Sequence, residues 1–167
     1  YSGLDDFTFN DLGLSSDWGN NTISLTYRRV FSERLIGNFL LASSEFFTNF
    51  GLGGEDGLNN ENLIEDKTFS ANMSYFQSKD FEWRYGLQIK QLGIKYRTTF
   101  EDEVSFDIQE NPVEGAAYAK LKWKPNLRMV VEPGLRYNFY SVYADKPFID
   151  FRLGTKYLLT DDRYLNF

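Results

Sequence analysis

Apolar and polar residues alternate at every second position over long stretches of this chain, and that period constrains the fold more than any other feature. Residues 69–76 place Phe69, Ala71, Met73 and Tyr75 at odd positions, with Ser70, Asn72 and Ser74 between them. Residues 81–90 set Phe81, Trp83, Tyr85, Leu87 and Ile89 against Glu82, Arg84, Gln88 and Lys90. Residues 127–139 set Leu127, Met129, Val131, Leu135, Tyr137 and Phe139 against Arg128, Glu132, Arg136 and Asn138. Residues 149–157 set Ile149, Phe151, Leu153 and Tyr157 against Asp150, Arg152 and Lys156. A helix would scatter each set around its surface, whereas a strand sends successive side chains to opposite faces. Further strands are predicted at 19–31, 34–47 and 115–124, the second with apolar residues in both phases. The 81–100 run changes phase near Gln91 and Leu92, which predicts a one-residue bulge. Pro133 has no N–H to give a ladder, which predicts a sheet edge or a bulge there.

The connections alternate in length. Short ones fall at 31–34, 78–81, 124–127 and 160–163, long ones at 48–66 and 101–114, and a moderate one at 141–147. Tight turns at one end and large loops at the other are the habit of antiparallel up-and-down barrels in outer membranes. Strands of roughly 10 to 20 residues exceed the ~5–6 usual in soluble sheets and satisfy the ~9–11 that cross a bilayer with tilt. The chain has no apolar run long enough for a membrane helix.

The 167 residues include no Cys and no His. Disulfides, Cys or His metal sites, and nucleophilic catalysis through Cys or His are therefore excluded. With 18 basic and 24 acidic side chains the net charge is −6, which argues against a non-specific nucleic-acid binder. The 30 aromatic residues, 16 of them Phe, are many for so polar a chain. Two opposite faces reconcile the numbers, because one can be apolar while the average stays polar.

Which face meets what is not decided by alternation alone. In a soluble barrel or sandwich the apolar face is the core, and in a membrane barrel it faces lipid. Bulky aromatics beside the short turns, Phe81, Trp83, Trp123 and Tyr157 with Tyr75 and Phe76, are candidates for an interfacial girdle. The polar face carries Arg28, Arg84, Lys90, Lys120, Lys122, Arg128, Arg136, Arg152 and Lys156 against only Glu82, Glu132 and Asp150. Arg28, Arg84, Lys90, Arg128, Arg136, Arg152 and Lys156 are the candidate lumen-facing residues. The segments 48–66 and 101–114 hold no Lys or Arg and 11 of the 24 acids. Among these, Glu55, Asp56, Glu61, Glu101, Asp102 and Glu103 are candidates for acidic extracellular loops. An acidic rim above a basic lumen suits divalent cations or a partner protein at the rim and an acidic plug or anionic solute inside. The plain alternative is that the acids keep long loops solvated and the lumen charges pair with other parts of the protein.

Motifs for chemistry are lacking. The glycine-rich stretch 51–62 has the composition of a calcium loop but not its ligand spacing, and its glycines do not open a helix after a strand. No pair of carboxylates is singled out for acid–base work. The expectation is a protein that is not an enzyme and uses no cofactor.

Beyond these patterns, the wording of several strands resembles the barrel of TonB-dependent outer-membrane receptors, in the style of Bacteroidota and their SusC-like members. Residues 18–47 resemble one of their hairpins. Glu114 followed by Tyr118, and then Val131-Glu-Pro-Gly-Leu-Arg-Tyr-Asn-Phe-Tyr, resemble a recurrent pair of strands in that family. The segment from Asp150 through Arg152 and Tyr157 to Asp161 resembles the next hairpin, with Phe151 where the family usually has Pro.

The resemblance implies a 22-stranded barrel with an N-terminal plug and a TonB box. Neither plug nor box is present in residues 1–167, so the whole chain is expected to be part of the barrel domain. It would hold about seven to nine strands of an all-β, antiparallel, transmembrane wall, since an open edge in lipid leaves backbone groups unsatisfied. The chain opens at Tyr1 without a leader pattern, and 164–167 read as the start of a further strand, which fits a portion of something longer. The implied location is the bacterial outer membrane. The implied partners are its lipid, TonB through the missing N-terminal region, and a SusD-like surface lipoprotein, with no nucleic acid. The implied function is energised uptake of a large nutrient or chelate. The rival readings are a receptor-like barrel serving as scaffold in an outer-membrane complex, and a complete eight-stranded barrel acting as an adhesin or lipid-modifying enzyme.

Overall fold

The computed structural model describes residues 2–9, 13–54, 57–101, 103–143, 148–160 and 163–167. Among them are ten strands and no α-helix. They are β1 (Ser2–Phe9), β2 (Leu14–Ser32), β3 (Leu35–Leu52), β4 (Leu58–Phe76), β5 (Phe81–Phe100), β6 (Glu103–Glu110), β7 (Val113–Asn126), β8 (Met129–Tyr140), β9 (Phe148–Thr160) and β10 (Arg163–Asn166). All ten belong to one sheet, in which each strand lies beside its neighbours in sequence. The exception is β6, which pairs with the end of β5 while β7 continues the order. The order runs from β1 to β10, and among the described residues these two do not pair with each other. This is an antiparallel up-and-down sheet that does not close on itself, with more strands than the chain's patterning predicts.

The chain divides into two units, each compact in itself. The first comprises residues 1–25, 41–68 and 90–113, and the second 26–40, 69–89 and 114–167. In the second unit the predicted alternation sorts as expected. Arg136 pairs with Tyr118 on one side and Asp150 on the other, and Leu135 with Ala119 and Phe151. Antiparallel partners share a face, so even positions gather on one side and odd positions on the other.

Pro133 departs from expectation. It lies in β8, an inner strand flanked by β7 and β9, opposite Leu153 and without a bulge at that point. The ladder to β7 passes from the Lys120–Gly134 pair directly to Trp123–Val131, leaving a gap opposite Pro133. The missing N–H is absorbed by a local break in one ladder while the register holds. The irregularity of this hairpin falls instead between Trp123 and Asn126, beside the turn.

In the first unit the two long loops of the sequence reading turn out to be mostly strand. β3 runs on to Leu52 and β4 begins at Leu58, with Gly53 and Gly54 in left-handed backbone at φ 93° and 79° between them. Side-chain bonds across and along the strands hold this extension. Asn62 Nδ2 donates to Thr48 Oγ1 (3.1 Å) and to Asn60 Oδ1 (2.9 Å), and Asn60 Nδ2 donates to Thr98 Oγ1 (3.0 Å). The second supposed loop contains β6, which folds back on β5 through a turn in which Glu101 takes a φ of 51°.

The phase change in β5 is not a bulge. Lys90 Nζ meets Asp66 Oδ2 at 2.8 Å, whereas a Cβ on Gly93 would lie 3.4 Å from the Cβ of Glu65. Asp66 and Glu65 are consecutive in β4 and point to opposite faces. Lys90 and Gly93 therefore also point to opposite faces, as unbroken alternation requires.

No hydrophobic side chain is buried among the described residues, and the two buried polar ones are Ser70 and Asn138. Trp83, Leu135 and Tyr137, which a soluble sandwich would enclose, are each about 40% exposed, and Phe81 is half-buried.

Candidate functional site

The functional feature of this sheet is the chemistry of its two faces, which each unit arranges differently. In the second unit the odd face is apolar. Tyr27 stacks on Phe39 (centroids 6.1 Å apart), and Phe81 lies nearly parallel to Trp123 (6.1 Å, 9°). Leu87, Leu135, Ile149, Phe151 and Leu153 stand exposed on this face. The four predicted girdle residues all lie on it, near the connections at 77–80 and 127–128. Trp83 Nε1 donates to Gln77 Oε1 (3.0 Å), and Tyr157 pairs with Met129 and Leu165. Each of these aromatics lies near a turn that carries polar residues.

The even face of the same unit is polar and internally bonded. Arg84 Nε meets Glu82 Oε1 at 2.6 Å, and Lys120 Nζ meets Glu132 Oε2 at 2.7 Å. Arg136 Nε donates to Asn138 Oδ1 (2.8 Å), and Asn138 Nδ2 donates to Asp150 Oδ2 (2.9 Å). Lys156 lies 3.7 Å from the centre of the Tyr164 ring. Exposed ion pairs contribute only about 0–1 kcal/mol each, so they orient these side chains more than they stabilise the sheet.

Of the residues singled out as lumen-facing, Arg28, Arg84, Arg136, Arg152 and Lys156 occupy even positions of strands in this unit, and Lys90 an even position in the first unit. Arg128 does not join them. β7 runs two residues further than the sequence pattern implies, which moves the turn onto 127–128, and Arg128 N–H there donates to Asn126 Oδ1 (2.9 Å). Its companion Leu127 is fully exposed for the same reason.

In the first unit the faces are mixed: polar residues on the odd face stand with Phe47 and Leu63, and apolar ones on the even face with Thr48, Asn60, Asn62, Asp66 and Thr98. Its odd positions carry Glu45, Asn49, Glu61, Glu65, Lys95 and Arg97. Asn49 Nδ2 donates to Asp17 Oδ2 (2.8 Å), and Arg97 Nε lies 3.6 Å from Asp107 Oδ2. Its even positions carry Phe46, Phe50, Ile64, Leu92, Ile94 and Tyr96, and Tyr96 meets Phe106 edge-on at 5.6 Å. Of the acids expected in extracellular loops, Glu61 lies inside β4, Glu103 opens β6, and Glu101 is in the turn before it. The expectation of free loops is corrected for Glu61 and Glu103. Glu55, Asp56 and Asp102 lie outside the described residues. No cluster of three or more acids that would hold a metal ion occurs among the described residues.

One constellation had no forecast from the sequence. Tyr118 O–H donates to Asn72 Oδ1 (2.7 Å), with the Tyr118 ring lying over Gly86, where a Cβ would come within 2.8 Å of it. Gly86, a glycine inside the 81–90 alternation, was the available signal, since strand glycines mark close approach by a neighbour. Set against known proteins, the chain matches no family model and no curated protein.

Proposed function

We propose that this sheet is part of the wall of a bacterial outer-membrane barrel of the TonB-dependent receptor type, working in energised uptake of a large solute. The observation that carries the membrane reading is the length of the apolar run on the odd face. It extends from Phe81 to Ile89 in β5, from Met129 to Phe139 in β8 and, interrupted by Thr155, from Ile149 to Leu159 in β9. The runs are about nine to eleven residues, or ~30–37 Å along a strand, and tilted by ~40° they give a band of ~23–29 Å, close to the ~25 Å of outer-membrane barrels. Beyond Ile89, the odd positions of β5 become Gln91, Gly93, Lys95 and Arg97. A soluble core has no reason to end at that height, whereas a bilayer does.

On this reading the odd face of the second unit meets lipid and its even face the lumen. Strands β2 to β5 have 18 to 20 residues each. That is about twice what a bilayer needs, so their remaining length stands beyond the membrane. The open edges of β1 and β10 would be paired by further strands, because unpaired N–H and C=O groups are not tolerated in lipid. The step from barrel to TonB-dependent uptake rests on the resemblance of the β7–β9 wording to that family, and the barrel itself is assigned no chemistry.

A genetic comparison separates transporter from scaffold. Removing the protein and removing TonB are expected to give the same growth defect on a limiting nutrient, with no further loss in the double mutant. An envelope defect from loss of the protein that does not depend on TonB would favour the scaffold and contradict the uptake reading.

A further inference from the structure

On the even face of the second unit, β7, β8 and β9 line a half-open hollow of about 450 Å³. Its floor includes Gly134 and Gly154, and its rim Tyr118, Lys120, Arg136 and Arg152. We infer that this hollow binds an oxyanion, a phosphate or a dicarboxylate, between Arg136 and Arg152.

Charge is the first argument. Lys120 is neutralised by Glu132 at 2.7 Å, and Glu132 is the only acid lining the hollow. Arg136 spends its Nε on Asn138 and keeps its terminal nitrogens for another acceptor. Arg152 has no hydrogen-bond or ion-pair partner among the described residues. Asp150, the register partner of Arg136, is already an acceptor for Asn138. Two guanidinium groups thus face one cavity, and although the Asp150 carboxylate beside Arg136 offsets part of their charge, a positive excess remains for an oxyanion.

Geometry is the second. Gly134 pairs with Lys120 on one side and Arg152 on the other, and Arg136 follows two positions along β8. The two arginines are therefore diagonal neighbours on adjacent strands, within reach of one small ligand. Planar guanidinium forks bind oxyanions bidentately, which a lysine pair would not do.

The glycines are the third. At Gly19 and Gly86 a Cβ would fall 2.9 and 2.6 Å from a backbone oxygen of the neighbouring strand, so the packing there requires glycine. At Gly134 nothing lies nearer than 3.6 Å, and at Gly154 nothing nearer than 3.9 Å. Neither has the left-handed backbone that would demand glycine. What their bareness does is keep the hollow open. This inference concerns the even face and stands independently of what covers the odd one.

The test is calorimetric titration of the folded full chain with inorganic phosphate and, separately, glutarate at low ionic strength. Saturable binding is expected, weakened at least tenfold by Arg152→Gln and by Gly134→Val but not by Arg28→Gln, which removes an even-face cation outside the hollow. Arg152 is exposed, so its substitution leaves the fold intact even should Gly134→Val disturb it. Phosphate binding alone would identify a phosphate site, and glutarate binding alone a site for paired carboxylates. Absence of binding by both, or equal loss in Arg28→Gln and Arg152→Gln, would overturn the inference.

Discussion

Leu153→Arg in the centre of the β9 band is expected to destabilise the protein in phospholipid vesicles by about 2–4 kcal/mol, the cost of an arginine at the midplane on the lipid side of a barrel. Leu153 is 67% exposed and lies between Phe151 and Thr155 on the odd face. On a water-facing sheet the same change would cost less than about 0.5 kcal/mol, as exposed substitutions usually do. Gln88→Arg, exposed on the even face of β5, supplies the control and is expected to stay within that smaller range. Denaturant titration of both variants in the same vesicles makes the comparison. A cost for Leu153→Arg no larger than for Gln88→Arg would remove lipid from the odd face. The contrast between faces matters more than either value, because both side chains begin exposed within the sheet.

Gly86→Leu is the second large effect. A Cβ at this position would lie 2.6 Å from the backbone oxygen of Ala71 and 2.8 Å from Cε1 of Tyr118. The tyrosine is fixed by its bond to Asn72, so it cannot swing aside without leaving that acceptor unbonded. Overpacking of this kind costs about 1–3 kcal/mol, and the lost hydrogen bond adds roughly 1 kcal/mol. Gly134→Ala is the counterpart. Its Cβ meets ordinary van der Waals contact, so stability should hold or rise slightly as the unfolded chain loses freedom. Equilibrium unfolding distinguishes the pair, and equal effects at both positions would contradict the packing described around Tyr118.

The strands that sort cleanly into two faces were legible in the sequence because alternation reports the local backbone directly. Phe81 to Ile89 and Ile149 to Tyr157 appear where their pattern puts them. The two stretches read as loops share one cause, which is that composition outweighed period. Glu103 to Glu110 alternates Val104, Phe106 and Ile108 with polar residues, yet its acids suggested a loop. Residues 58–66 are rich in Asn and Glu, and their strand is held by the Thr48–Asn62–Asn60–Thr98 bonds, which propensity does not anticipate. The apparent bulge at Gln91 had another origin. The backbone continues regularly, and what changes is the polarity assigned to each face. A reader of sequence sees the same shift of phase in either case, and only the Lys90–Asp66 and Gly93–Glu65 neighbours separate them. The Gly134 hollow was illegible because it requires three strands in register.

The central claim is that the odd positions of β5 leave lipid for water after Ile89. The chain contains no cysteine, so single cysteines placed along 81–97 can each carry one spin label without background. In vesicles, collision with oxygen reports lipid and collision with a water-soluble nickel complex reports solvent. Oxygen access is expected to peak at 83, 85, 87 and 89, with the nickel complex favoured at the even positions between them and at 91, 93, 95 and 97. Nickel access that stays high at the odd positions from 83 to 89 would contradict the account.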